Sequence, residues 1–331
     1  MNDLELHVLN DYQRDFPLVS APYLAIARAL GVSEDKVLQT LRNLQTTGAV
    51  SRVGAIFRPH RIGHSALAAM SVPQQRLEEV AQLVNQRLEV NHNYEREHAY
   101  NLWFVVTAEN EPGVLQVLHE LEVQSRCRAL YLPMLEDYHI DLGFSLTAVA
   151  SKPACRAPSC KQSAAPLALN DADRGLIAAL QDGLTPVSRP YAALAKAAGM
   201  REEAVLARLQ DFLDNDVIKR FGVVVRHHEL GFRANAMVVW DIPDEQVAQL
   251  GQCMGEAEGV TLCYRRPRRL PEWRYNMFSM IHGRDRDSVC QLIEKLRVAC
   301  GLMQFDYDIL FSKRRFKQQG AHYVSRARAV A

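Results

Sequence analysis

Between Val90 and Asn110 the chain reads VNHNYEREHAYNLWFVVTAEN. The second half of this stretch is the apolar run expected of a buried strand. The first half carries two histidines (His92, His98), two tyrosines (Tyr94, Tyr100) and Arg96, and packing alone needs none of them. Arginine grips a carboxylate through a fork of N–H donors, which sets orientation as well as charge. Imidazole titrates near neutral pH and can deliver a proton. The stretch is equipped to hold an anion and to protonate a carbon or oxygen beside it.

Comparable groups recur along the chain. Arg58, His60 and Arg61 lie in RPHRIGHSALAAM, and Arg226, His227 and His228 lie in RHHELGFRANAM. RRPRR (265–269) contributes Arg266, Arg268 and Arg269. Tyr94, Tyr100, Trp103, Tyr264 and Trp273 offer flat faces to a planar ligand. Plainer readings compete with these. A loop histidine such as His60 or His228 is commonly a solvated surface group. Trp103 and Phe104 alternate with Leu102 and Val105, so one of each pair is core. RRPRR by itself reads as a solvated charge run, and the closing basic stretch SKRRFKQQGAHYVSRARA (312–329) as a segment that frays at its end.

The elements that position these residues come in two copies. A shift of 168 residues lays Asn2 and Asp3 on Asn170 and Asp171, and VSAPY (19–23) on VSRPY (187–191). The same shift lays Gly31 on Gly199, Arg52 on Arg220, Gly54 on Gly222, Arg58 on Arg226, His60 on His228 and Gly63 on Gly231. The offset then grows to 170, matching Tyr94 with Tyr264 and Arg96 with Arg266, and to 175, matching Tyr100 and Asn101 with Tyr275 and Asn276. Matches at so few offsets mark two homologous halves. Arg268 falls near the place of His98, followed by five extra residues, LPEWR (270–274), so the halves differ where chemistry is expected.

Each half divides again. Apolar positions near 6–12, 23–30 and 37–44 recur at helical spacing, Gly31 ends one helix and Ser33 caps the next. AVSRVGAIF (49–57) then reads as an alternating strand pair, which makes a winged helix-turn-helix. The rest of the half reads β-α-β-β-α-β, with strands at 65–72, 90–96, 100–107 and 129–135 and helices at 74–87 and 112–122. That is a ferredoxin-like arrangement, whose open sheet face needs a cover, and the two halves of the chain can cover each other. The fold class is α+β. The expected domains are a winged helix-turn-helix at 1–58, a ferredoxin-like domain at 59–150, a Pro-, Ser- and Ala-rich linker at 151–168, and the second pair at 169–226 and 227–331.

Bulk properties narrow the function. The chain has 331 residues and a formal net charge of +1, so no global field draws it onto nucleic acid or membrane. No apolar run reaches membrane-spanning length and no export signal is present, so the expected compartment is the cytoplasm. The seven cysteines are scattered, which suits that compartment; Cys155 and Cys160 alone lie close enough to suggest a metal or redox pair. The candidate recognition helices are unlike each other. Lys36, Arg42 and Asn43 of the first suit DNA, whereas the second is acidic, with Glu202, Glu203, Asp211, Asp214 and Asp216. DNA is therefore an unfavoured partner.

A helix-turn-helix joined to a small ferredoxin-like domain resembles the Lrp/AsnC group of regulators, whose ligand-binding domain is of the RAM type. HNYEREHAYNLWFVV (92–106) resembles the signature of one branch, the siroheme decarboxylases, and the tandem arrangement is similar to their fused NirD–NirL form. The resemblance implies that the chain removes the C12 and C18 acetate carboxyl groups of siroheme, giving 12,18-didecarboxysiroheme for heme d1 or an alternative heme route. It implies no cofactor apart from the substrate, whose own iron is the metal involved. Siroheme is flat, iron-bearing and carries eight carboxylates, so Arg58, His60, Arg61, Tyr100, Trp103, Arg226, His227, His228, Tyr264, Arg266, Arg268, Arg269 and Trp273 are its candidate contacts. His98 is the first candidate proton donor, Tyr94 the second, and Arg96 orients carboxylate; His98 or His227 is alternatively a ligand of the substrate iron. Partner subunits of the NirG/NirH type and self-association remain open. Rival readings are a DNA-binding regulator and a tetrapyrrole-binding sensor without catalysis.

Overall fold

The computed structural model describes residues 2–58, 61–140, 169–225 and 234–323. The first repeat begins with α1 (Asp3–Asp11), α2 (Pro22–Leu30), α3 (Glu34–Thr46) and β1 (Val50–Phe57). It continues with β2 (His64–Met70), α4 (Leu77–Gln86), β3 (Val90–Arg96), β4 (Leu102–Ala108), α5 (Glu111–Ser125), β5 (Ala129–Pro133) and β6 (Glu136–Ile140). The second repeat opens with α6 (Asp171–Leu180), α7 (Pro190–Ala198), α8 (Glu202–Asp214) and β7 (Ile218–Val225). Then come β8 (Ala234–Trp240), α9 (Val247–Glu256), β9 (Val260–Arg265), β10 (Met277–Gly283), α10 (Arg286–Ala299) and β11 (Tyr307–Gln318). The chain packs by type rather than by repeat. The two helix-turn-helix segments form one compact unit, and the two ferredoxin-like segments form another.

Local sequence accounts for the helices of the first unit. Asn2 and Asn170 close capping boxes with Glu5 and Asp173. Pro22 and Pro190 sit in the first turns of α2 and α7, where a missing N–H costs nothing. Gly31 and Gly199 end those helices, both at φ 66° in the left-handed region. Ser33 caps α3, its side chain accepting from the Lys36 N–H.

The strands of this unit differ from the expectation. AVSRVGAIF is not a strand pair: its residues form the single strand β1, which pairs antiparallel with β7 of the other repeat, Gly54 opposite Gly222. Eight residues with no turn among them cannot fold back on themselves, so the partner has to come from elsewhere. The segments after α1 and α6 then dock on this ribbon, with the Val223 N–H donating to Tyr12 O (2.8 Å) and the Leu184 N–H to Val53 O (2.7 Å). The approach is close because Gly222 lacks a side chain. A Cβ there would lie 2.4 Å from the carbonyl oxygens of Tyr12 and Gln13.

In the second unit, nine strands run in the order β5-β2-β4-β3-β11-β8-β10-β9-β6. Both β-α-β-β-α-β patterns are present, and each has its own apolar core beneath two helices. Ala66, Ala68, Met70, Leu102 and Phe104 pack against Val80, Val84, Val114 and Leu121 in the first. Ala236, Val238, Trp240 and Ile281 pack against Val247, Met254, Val289 and Ile293 in the second. The opposite sheet faces share a third cluster drawn from both repeats, including Leu67, Trp103, Leu132, Met237, Phe278 and Leu310. The expected mutual cover of the two halves is thus a packed interior.

The last strand of each repeat serves both. Residues 307–311 of β11 pair with β8, and residues 312–318 pair with β3. In the same way β5 pairs with β2, while β6 pairs with β9. The basic stretch from Ser312 to Gln318 is a paired strand, and Tyr323 beyond it is buried in the helix-turn-helix unit, while the end expected to fray lies outside the described residues. β6 was not expected at all. The scattered cysteines also hid a pair: Cys253 of α9 is bonded to Cys300, just past α10. Cys155 and Cys160 lie outside the described residues.

Two glycine substitutions separate close packing from backbone conformation. Gly222→Ala should destabilise by about 1–3 kcal/mol, since the obstructing atoms are backbone. Gly31→Ala meets nothing within 4 Å and is expected to cost only about 1 kcal/mol for its left-handed φ. Thermal unfolding of both variants beside the parent checks the order; equal midpoints would refute it.

Candidate functional site

The pleat of β3 turns its polar residues two ways. Asn93 and Glu95 stand opposite Phe104 and Leu102 of the helix-side core, and Asn93 donates to Ala81 O (3.2 Å) and Asn85 Oδ1 (3.0 Å) on α4. His92 and Tyr94 stand opposite Val105 and Trp103 of the inner cluster, so His92, Tyr94 and Arg96 form one row on the inner face. In the second repeat Leu262 and Tyr264 stand opposite Met280 and Phe278, with Arg266 just past the end of β9. Tyrosine and arginine thus recur in both rows, while His92 faces the interior from one row only.

The two arginines are the most unusual groups here. Arg96 is 6% exposed and Arg266 8%. Arg96 donates to Leu310 O (2.9 Å) and Asn235 Oδ1 (3.4 Å), and its guanidinium lies 5.7 Å from the Tyr94 ring centre. Arg266 donates to Leu132 O and lies 4.5 Å from the Tyr264 ring centre. Arg96 therefore reaches β11 and Arg266 reaches β5, each a strand of the opposite repeat, and the acceptors are neutral. Burial pulls the Arg96 pKa down to about 10 and lowers that of Arg266 in the same sense. Among the described residues, Arg266 Nε is buried with no hydrogen-bond partner. A buried cation without a counterion is costly, so these groups are poised to gain from an anion.

Asn101 and Asn276 hold the backbone behind both arginines. Asn101 exchanges two hydrogen bonds with the Val72 backbone (2.9 and 2.8 Å), and its own carbonyl accepts from the Arg96 N–H (2.8 Å). Asn276 does the same with Ile242 (3.0 and 2.8 Å) and the Arg266 N–H (2.9 Å). The repeated asparagine in the sequence is thus a structural clamp.

His98 follows β3 in the turn to β4. Its Nδ1 accepts from the Tyr100 N–H (2.9 Å), which places the ring proton on Nε2, and Nε2 lies 3.5 Å from Asp308 Oδ2. Burial lowers the His98 pKa below its usual value, and the Asp308 carboxylate works against that. The ring stacks on Tyr100 (6.1 Å, 15°) and meets Trp273 edge-on (5.5 Å, 78°). Trp273 comes from the five-residue insertion and also contacts Tyr100, Trp103, Tyr275 and Phe278. It is 2% exposed, and its Nε1 has no partner among the described residues. The insertion of one repeat thus packs against the β3–β4 turn of the other.

The structure gathers Tyr94, Arg96, His98, Tyr100, Trp103, Tyr264, Arg266 and Trp273 on or beside these inner faces. Trp103 is core, its Nε1 donating to Tyr100 O (2.6 Å). RRPRR is no solvated run. Arg265 pairs with Glu136 and Asp244, and Arg268 with Asp241 (2.7 Å) and Asp244 (2.9 Å). Arg269 donates to Tyr131 O (2.8 Å). Arg58 and Arg61 belong to the helix-turn-helix unit, where Arg58 pairs with Asp216 (2.6 Å). His60, Arg226, His227 and His228 lie outside the described residues. Sequence reasoning named His92 within its stretch without giving it a role of its own, and missed Asp308 as a member of this group. The one signal for Asp308 is an acid among the apolar residues of YDILF; for His92 it is the alternation of NHNYER.

Comparison with known proteins gives these features a family. The profile of an AsnC-like ligand binding domain matches residues 61–139 and 229–317. The profile of a siroheme decarboxylase NirDL-like HTH domain matches residues 5–50 and 173–219. The siroheme decarboxylase NirDL subunit of Paracoccus denitrificans is 39% identical over 322 residues, 97% of either chain. The siroheme decarboxylase NirL subunit of Stutzerimonas stutzeri is 50% identical over 151 residues, 46% of this chain and 89% of its own. A crystal structure of the siroheme decarboxylase NirDL in co-complex with an iron-uroporphyrin III analogue matches at TM-score 0.70 and 28% identity, covering 99% of this chain and 95% of the other. Two repeats, each pairing a helix-turn-helix with an AsnC-like domain, and near-complete coverage of a relative at that identity assign the chain to the siroheme decarboxylase family in its fused NirDL form.

Proposed function

We propose that this chain removes the C12 and C18 acetate carboxyl groups of siroheme, as a carboxy-lyase, to give 12,18-didecarboxysiroheme for heme d1 or an alternative heme route. The observation that carries the reading is the pair of buried arginines, Arg96 and Arg266, whose hydrogen bonds go to neutral acceptors. A ligand bearing carboxylates supplies the charge they lack. Its flat ring suits the aromatic edges of Tyr94, Tyr100, Tyr264 and Trp273.

The reaction breaks the bond between the carboxyl carbon and its methylene. CO2 leaves, the electron pair stays on the methylene carbon and spreads into the conjugated macrocycle, and a proton completes the methyl group. No cofactor apart from the substrate is needed. Arg96 orients the reacting carboxylate, and binding of the remote carboxylates offsets the strain of drawing one acetate away from water. His98 is the proton donor, with Tyr94 second. Burial holds the pKa of the unliganded His98 below its usual value, which favours the neutral ring. Incoming carboxylates favour the protonated ring, as Asp308 does. Ligation of the substrate iron by His98 or His227 is the alternative use of those side chains.

The regulator reading finds less support. α8 keeps its acids, and Arg42 of α3 is engaged with Pro186 O (2.7 Å). Relatives such as the NirL subunit are about half as long, so this chain carries in tandem what they carry as separate polypeptides. None of the described helices is long and apolar enough to cross a membrane, and we place the enzyme in the cytoplasm.

Anaerobic incubation of the purified chain with siroheme, followed by mass spectrometry, should show loss of one and then two CO2. Intact siroheme that stays bound would favour the sensor, and absence of binding the regulator. His98→Ala should slow the reaction by about 100-fold or more if His98 is the donor. An unchanged rate would move that role to Tyr94. Asp308→Asn removes a carboxylate that raises the His98 pKa. The fall of activity with rising pH should therefore begin at lower pH, and the rate at pH 7 should drop by up to about tenfold. A pH–rate profile identical to the parent's would sever His98 from Asp308.

A further inference from the structure

We infer that Arg315 of the second repeat completes the carboxylate-binding surface of β3, so that the reacting acetate is held at the β3–β11 half of the inner faces and not at the β9–β6 half. The inference rests on the siroheme reading and names a residue and a side for it.

The register of the shared strand supports it. Arg315 is the cross-strand partner of Tyr94, and Ser312 of Arg96, with bulges on either side of Arg314 and Arg315. Directly opposed residues in an antiparallel pair share a face, so Arg315 stands on the face of the His92, Tyr94 and Arg96 row. Its neighbours are committed to the other face. Lys313 and Arg314 pair with Glu95 (3.2 and 3.3 Å), and Arg314 also with Glu78 of α4 (2.8 Å). Phe316 packs on the helix-side core of the first repeat. Lys317 donates to Asn85 O (2.9 Å) and Arg87 O (2.7 Å). Of this basic cluster, Arg315 is the cation presented beside Tyr94; its Nη1 donates to Gln318 Oε1 (3.1 Å) on the same strand.

The equivalent place in the other half carries the opposite charge. Asp137 of β6 is the cross-strand partner of Tyr264, as Arg315 is of Tyr94. Arg96 and Arg266 occur in both halves and cannot by themselves decide where an anion sits. Arg315 with His92 on one side, against Asp137 with Leu262 on the other, does decide it. A carboxylate gains a partner at the first and meets a like charge at the second. His98 follows β3, on the side that Arg315 reinforces.

The test titrates iron uroporphyrin, an octacarboxylate, into the full-length parent, Arg315→Gln, Arg315→Lys and Asp137→Asn, reading the Soret band. Siroheme turnover is followed in parallel. Arg315→Gln should raise the Kd for iron uroporphyrin about tenfold, flatten its salt dependence and raise the KM for siroheme. Arg315→Lys should recover part of the affinity, which a purely structural role would not predict. Asp137→Asn should bind within about twofold of the parent. If Arg315→Gln binds as the parent does, or Asp137→Asn weakens binding as much, the assignment is overturned. Thermal midpoints of all four proteins separate loss of binding from loss of fold, and a glutamine variant that melts early while the lysine variant binds no better also counts against it. A parent chain that neither binds iron uroporphyrin nor decarboxylates siroheme overturns the siroheme reading itself, together with this one.

Discussion

The exchange of last strands between the repeats is the constraint on which the candidate site depends. β11 leaves the second sheet and completes the edge of the first, and β5 and β6 make the same crossing in reverse. An unpaired sheet edge exposes a row of backbone donors and acceptors, and each repeat satisfies the other's. Before they cross, these strands already present Leu310 and Leu132, whose carbonyls accept from Arg96 and Arg266 of the other repeat. The uncrossed part of β11 likewise sets Asp308 beside His98, and its crossed part sets Arg315 beside Tyr94.

A symmetric frame has here been given unequal contents. The asparagine clamps, the buried arginines and the paired tyrosines recur almost bond for bond in the two halves. Against that background the differences stand out: His92 against Leu262, His98 against Arg268, Arg315 against Asp137, and the insertion that supplies Trp273. Arg268, near the place of His98, is tied to Asp241 and Asp244, whereas among the described residues the carboxylate beside His98 is that of Asp308, at a longer 3.5 Å.

The helix-turn-helix unit shows the same economy applied to a different end. β1 and β7 form a two-stranded ribbon between the repeats, with glycines where the segments after α1 and α6 cross it. Its second recognition helix is acidic, and Arg42 of the first is bound to the other repeat's backbone. Those features join the two repeats to each other.

The duplication, the helix caps, the β-α-β-β-α-β order and the membership of Arg96 and Arg266 in matched rows were all legible in the chain. Each rests on local periodicity or on identity at a fixed offset, and both are one-dimensional properties. The partner of β1, the crossing of β11, the burial of Tyr323, the bond between Cys253 and Cys300 and the ion pairs of RRPRR were not. Each depends on residues far apart in sequence, and hydrophobic alternation reports that a strand has a buried face without saying which strand lies beside it. The sequence by itself determined which side chains the two repeats have in common and hence what kind of ligand they suit. The tertiary structure alone decided which cations are already spent on carboxylates and which face the interior, because cross-strand register between the repeats sets both.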